Sequence, residues 1–164
     1  MRTQDFDYHL PTELIAQTPV EPRDTARLLA VNRDTGEVEH GIFRNISTYL
    51  RAGDVLVFNE TRVIPARLFA NKIPTGGRIE LLLLNEITDT DWEVIVGGKG
   101  LVKGKRFDVK DGPNGVILEE LNGAERIVRF SKPVSEFIQI AGHVPLPPYI
   151  TTPLEDPERY QTVF

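Results

Sequence analysis

Between Pro65 and Phe130, six short runs rich in Val, Ile and Leu alternate with turns of Gly, Asp and Asn. The runs are residues 66–71, 78–85, 92–96, 106–109, 115–121 and 125–130. No gap between them is long enough to hold a crossover helix, so the strands must pair antiparallel. An open antiparallel sheet would leave two edges with unpaired backbone groups. Closing the sheet on itself removes both, and a small barrel is the expected result. Residues 97–100, Gly-Gly-Lys-Gly, break the pattern as a long turn, and Trp92 is expected in the core. Residues 78–84 start in alternation and finish as a continuous apolar run, which predicts a strand end covered on both faces.

The sequence outside this region is mixed. Residues 10–16 read as one short helix, with Pro11 in its first turn. Residues 27–31 and 37–42 form a hairpin around Asn32-Arg33-Asp34-Thr35-Gly36, where Gly36 can take positive φ. A helix of about two turns is expected over 43–50, and Val134 to Ala141 reads as helical with Ser135 as its cap. Asp54-Val55-Leu56-Val57-Phe58 reads as a buried strand.

A polar cluster leaves the end of that strand: Asn59-Glu60-Thr61-Arg62-Val63-Ile64-Pro65-Ala66-Arg67-Leu68. Reactive groups are often set at a strand end with a rigid scaffold behind them. Arg62 and Arg67 suit bidentate recognition of a carboxylate or phosphate. Ion pairing of Glu60 with Arg62 or Arg67 in a plain turn explains the same residues. Asn59 and Thr61 can bind a ligand or cap that turn. The second cluster is Gly142-His143-Val144-Pro145-Leu146-Pro147-Pro148-Tyr149-Ile150. Its prolines make it extended and exclude a helix. It serves equally as a polyproline ligand or as a rigid crossing within one fold.

These two clusters are joined by Phe6-Asp7-Tyr8, Leu10-Pro11, Arg23-Asp24, Arg27-Leu28-Leu29, Gly53-Asp54-Val55-Leu56-Val57 and Arg159-Tyr160-Gln161-Thr162-Val163. Taken in order and spacing, the whole chain resembles the N-terminal half of the S-adenosylmethionine:tRNA ribosyltransferase-isomerases of queuosine biosynthesis. Two departures stand out. Glu60 occupies a position where that family usually has Asp, and the family's Gly/Ala/Pro-rich segment ahead of a His-Phe pair does not follow. A truncation, a proteolytic remnant or the ordered part of a longer protein is the expectation.

The resemblance implies a mainly β fold with α/β parts. A six-stranded antiparallel β-barrel (65–142) would be inserted into a discontinuous, here incomplete, α/β domain made of 1–64 and 143–164. It implies transfer and isomerisation of the ribosyl group of S-adenosylmethionine onto 7-aminomethyl-7-deazaguanine at the tRNA wobble position, giving epoxyqueuosine. S-adenosylmethionine would be the ribosyl donor, with no metal. The partner would be a tRNA with a modified wobble guanine, and the full-length enzyme is expected to be monomeric. Glu60 and His143 are the candidate catalytic groups, Glu60 as base or as a hold on the ribose hydroxyls and His143 as proton donor, while a lone histidine beside a glycine also serves as a plain structural side chain. Asn59, Thr61, Arg62, Arg67, Tyr149 and Tyr160 are the candidate substrate ligands, the tyrosines as stacking platforms, with core or hinge packing as the competing role of either ring. The alternatives are a non-catalytic RNA-binding β-barrel and an inactive fragment of the transferase.

Composition narrows the classes further. The net charge of −5 argues against nucleic-acid binding by the whole surface. Charge is uneven, and Lys99, Lys103, Lys105 and Arg106, followed by Lys110, form the candidate tRNA-binding stretch. There are no cysteines, which excludes disulfides and thiolate metal sites and fits a cytoplasmic location. His9, His40 and His143 lack metal-ligand spacing. No apolar run has the length of a membrane span, and the N-terminus lacks a signal-type h-region.

Overall fold

The computed structural model describes residues 2–163. They divide into two compact units. One comprises Met1–Glu60 with Pro147–Arg159 and Val163–Phe164; the other comprises Thr61–Leu146 with Tyr160–Thr162.

The second unit is the barrel. Its strands are β3 (Arg67–Ile73), β4 (Arg78–Glu86), β5 (Asp91–Gly97), β6 (Arg106–Val109), β7 (Asn114–Glu120) and β8 (Glu125–Phe130), preceded in the chain by β1 (Arg27–Val31) and β2 (Val38–Ile42). Every pairing is antiparallel, in the order β4-β5-β8-β7-β6-β3, and β3 pairs back onto β4 to close the ring. The alternation read from the sequence sets the inner face. Leu68, Leu81, Val94, Phe107, Ile117, Val128 and Phe130 are fully buried. Phe107 and Phe130 meet edge to face with centroids 6.0 Å apart, and Phe137 packs on Phe130 at 5.3 Å. Trp92 is buried, as expected. Gly115 leaves the space that the Phe107 ring fills; a Cβ there would overlap the ring. The glycine-rich turn after β5 folds back on the barrel. Its Leu101 is buried, Arg126 Nε donates to the Leu101 carbonyl at 2.8 Å, and the Gly104 N–H donates to the Ile117 carbonyl at 2.8 Å.

Three expectations for this unit need correction. The end of β4 is not covered on both faces: Leu82 is half-buried and Leu84 is exposed, so alternation persists. The segment 134–141 is not one helix. A 3₁₀ turn, Val134–Glu136, precedes a single α-turn, α1 (Ile138–Ala141), and Ser135 caps neither. Pro133 and Phe137 hold the cap positions, and Phe137 buries its ring instead of continuing the helix. A two-residue strand, β9 (Gly142–His143), follows and pairs with the start of β3.

In the first unit, β1 and β2 form the expected hairpin, with Gly36 at φ 73° and its N–H donating to the Asn32 carbonyl at 2.8 Å. The helices expected at 10–16 and 43–50 are instead 3₁₀ turns at Thr12–Leu14 and Phe43–Tyr49. Neither buries a residue, so no apolar contact favours extending them into α-helix. The strand expected at 54–58 is also absent. No described strand pairs with this segment, and Val55 and Val57 are 84% and 90% exposed. Side-chain clamps supply much of the local order. The Gln17 amide donates to the Tyr149 carbonyl at 3.0 Å and accepts from the Thr151 N–H at 2.8 Å. Arg159 donates to the Val20 carbonyl at 3.0 Å and pairs with Glu21, and Arg44 pairs with Asp24 at 3.0 Å.

Candidate functional site

The two motifs that stand out in the sequence meet on the barrel. Arg67 opens β3 and His143 ends β9, and the two are register partners. Antiparallel partners project to the same face. Leu68 and Ala70 point into the core, so Arg67, Phe69 and Asn71 project outward. This approach depends on Gly142, because a Cβ there would overlap the carbonyl oxygens of Pro65 and Ile138. Only glycine lets the strand lie that close.

Arg67 is the best-defined side chain of the site. Its Nη2 donates to the Leu146 carbonyl at 3.3 Å, and its Nε lies 2.7 Å from Glu80 Oε1. The Nε–H is buried and not aimed at an acceptor, so the contact with Glu80 is an ion pair and not a directed hydrogen bond. Glu80 sits on β4 two residues from Leu82, the register partner of Arg67, and the pair is therefore diagonal. His143 is exposed, with its ring tilted on Phe69 at 4.9 Å. Phe69 is 41% exposed. The face thus combines a guanidinium, an imidazole, a carboxylate and an open aromatic ring.

The other expected residues are placed as follows. Thr61 and Arg62 are exposed at the start of the barrel unit, and Asn59 and Glu60 are exposed at the end of the first segment of the other unit. Tyr160 belongs to the barrel unit and Tyr149 does not; both rings are exposed. The basic stretch is not one strip. Lys99, Lys103 and Lys105 lie in the turn between β5 and β6. On β6, Phe107 and Val109 turn inward, leaving Arg106, Asp108 and then Lys110 exposed.

Two residues were not anticipated. Glu80 could have been found by counting register outward from the turn between β3 and β4, since it is the acidic residue at an outward position beside Arg67. Gln161 gave no such signal. Its amide accepts from the Val63 N–H at 2.8 Å and donates to the Val63 carbonyl at 2.9 Å, holding the entry to β3 as a neighbouring strand would.

The most perturbed carboxyl lies elsewhere on the barrel. Asp91 is buried and accepts from Arg129 Nε at 2.7 Å and Nη2 at 2.6 Å. These hydrogen bonds hold its carboxyl below the usual aspartate range, although burial alone would raise it. Asp91 and Arg129 are register partners of β5 and β8, and the pair ties the barrel wall.

A closed six-stranded antiparallel barrel bearing a polar and aromatic outer face is the class of structure these observations define. The chain belongs to the family described as queuosine biosynthesis protein, whose sequence model matches residues 3–164. It is 48% identical over its whole length to the S-adenosylmethionine:tRNA ribosyltransferase-isomerase of Halothermothrix orenii, of which it covers 49%. Against the protein of that name from Staphylococcus epidermidis it is 47% identical, again over the whole chain and 49% of the relative. The chain spans about half the length of the curated relatives it matches. Among solved structures it is similar to an S-adenosylmethionine tRNA ribosyltransferase from Thermotoga maritima, with 40% identity over 84% of this chain and 48% of the other, at a TM-score of 0.42.

Proposed function

We propose that this chain is part of an enzyme that transfers and isomerises the ribosyl group of S-adenosylmethionine onto a tRNA. The acceptor is 7-aminomethyl-7-deazaguanine at the wobble position and the product is epoxyqueuosine, with adenine and methionine leaving. The observation that carries this reading is identity near one half, over the full chain, to relatives named for the activity. The sulfonium of the donor acidifies the adjoining C–H bonds, and a positioned base can remove that proton. Glu60 is assigned the base or a hold on the ribose hydroxyls. Adenine needs a proton or hydrogen bond as it departs, and His143 is assigned to supply it. Asn59, Thr61, Arg62 and Arg67 are assigned to the donor, with Arg67 suited to its carboxylate. Tyr149 and Tyr160 are assigned to stack on bases, and Lys99, Lys103, Lys105 and Arg106 to the tRNA backbone.

The domain reading that accompanies this proposal makes 65–142 an insertion into one α/β domain built from 1–64 and 143–164. Support comes from the clamps that tie Gln17 to Thr151 and Arg159 to Val20. The enzyme works without a metal, as a cytoplasmic monomer at full length.

The test is incubation of the full-length protein with S-adenosylmethionine and tRNA bearing the precursor base. Adenine release that requires the modified tRNA is expected; none with any tRNA would overturn the reading. Glu60→Gln should then lower turnover by about 10²–10⁴ with the fold retained. An unchanged rate would return Glu60 to a structural role.

A further inference from the structure

The outer face around Phe69 holds a second feature that the reaction does not use. A cavity of about 510 Å³ is lined by Phe69, Ala70, Asn71, Arg78, Ile79 and Lys110. Backbone pairing explains why these residues converge. Asn71 of β3 is the register partner of Arg78 on β4, and the Lys110 N–H donates to the Phe69 carbonyl at 2.8 Å where the chain leaves β6.

The polar groups of this groove are uncommitted. Arg67, Arg126 and Arg129 of the same barrel are each held by a carboxylate, Glu80, Glu120 and Asp91 respectively. Arg78 and Lys110 make no ion pair among the described residues, and the Asn71 amide makes no hydrogen bond among them. No carboxylate is among the lining residues: Glu80 is taken by Arg67, Asp108 stands opposite Asn71 on β6, and Asp111 follows Lys110. The lining itself thus carries two cations and no carboxylate, on a protein whose net charge is −5. His143 lies against the Phe69 ring, and Phe69 is still 41% exposed.

A flat aromatic ring, a free amide and two free cations around a groove of this size match the parts of a nucleotide. Aromatic rings stack bases, amides read base edges, and Arg and Lys take phosphates. A compact acidic peptide would use the cations but neither the ring nor the amide. We propose that this groove holds one unstacked nucleotide of the tRNA. Its base lies on Phe69 with Asn71 at the base edge, and its phosphate lies between Arg78 and Lys110. The proposal rests on the tRNA reading above and names a binding subsite on the barrel wall that adjoins His143 through the Phe69 ring.

The test measures tRNA affinity of the full-length protein across a salt series, with the KM for S-adenosylmethionine measured alongside. Arg78→Ala/Lys110→Ala should raise Kd about tenfold and flatten the plot of log Kd against log salt by about 0.7 for each phosphate no longer neutralised. Phe69→Leu should raise Kd about fivefold or more at an unchanged slope, because stacking is removed and charge is kept. Arg78→Lys/Lys110→Arg keeps both charges and should retain the wild-type slope, which guards against misfolding as the cause. Lys132→Ala, an exposed cation outside the groove, should change neither quantity. Wild-type Kd and slope in the double alanine variant would overturn the proposal. So would a raised KM for S-adenosylmethionine at unchanged tRNA affinity, which would make the groove a small-anion site. A wild-type protein that neither binds tRNA nor releases adenine sinks the functional reading and this subsite together, whereas failure of the variants alone removes only the subsite.

Discussion

The two units of this chain are made from similar residues and put them to opposite use. Every buried hydrophobic residue of the described chain belongs to the barrel unit. The other unit has Leu14, Leu29, Val31, Val55, Val57 and Phe58 exposed. Charge divides as well. The barrel unit carries twelve Lys and Arg against eleven Asp and Glu, and the remainder carries seven against thirteen. One unit is therefore near neutral, with local positive features, and the other is strongly acidic. The lesson is that apolar content alone does not make a core. A strand buries its side chains only when a neighbour satisfies its backbone and covers its face.

The sharpest way to test this difference is to cut into the barrel. Phe107→Ala removes a fully buried ring from the centre of the cluster and should cost about 3–5 kcal/mol. Denaturant unfolding should show the loss as a lower midpoint of one cooperative transition. A cost below about 1 kcal/mol would mean that the barrel core does not carry the stability assigned to it.

A medium effect is expected at the wall. The Asp91 carboxyl titrates lower in the folded protein than in the unfolded chain. Its contribution is therefore present above the unfolded value, near pH 4, and is lost as pH falls through the lower folded value. Asp91→Asn should cost about 1–2 kcal/mol at neutral pH, discounted because Arg129 is largely exposed. It should also flatten the dependence of stability on pH below about 4. An unchanged acid profile in the variant would assign that sensitivity to other carboxylates.

The smallest effect is expected in the other unit. Val57→Ser at a 90% exposed position should change the stability of this chain by no more than about 0.5 kcal/mol. A loss as large as that of Phe107→Ala would erase the contrast between the units.

The barrel was legible in the sequence because alternation and turn spacing are local signals. Each of its six strands falls within a residue or two of the expected runs. Closure was also legible, since it follows from the cost of bare edges. The segment 54–58 shows where that reasoning stops. Its hydrophobicity states what the segment would bury, and not whether anything lies beside it. The short helices failed for a related reason: one or two turns are too few to outweigh nucleation, and no packing decides between α and 3₁₀. At the site, the approach of Arg67 to His143 joins positions 76 residues apart and depends on Gly142, so no local pattern could show it. The Gln17 and Gln161 clamps are equally non-local, and glutamine in a loop carries no periodic signal.

One edge of β3 is shared by two strands. β9 occupies Arg67 and Leu68, Lys110 meets the Phe69 carbonyl, and β6 takes Ala70 to Ile73. The two neighbours lie end to end with no vacant position between them, so each sets the permitted length of the other. Lengthening β6 by two residues towards Arg67 would displace His143 from its place on the wall without substituting any residue assigned to chemistry. The hairpin after β6 thus acts as a ruler for the site. Insertions there should be far less tolerated than in the turn between β7 and β8, which adjoins no such shared edge.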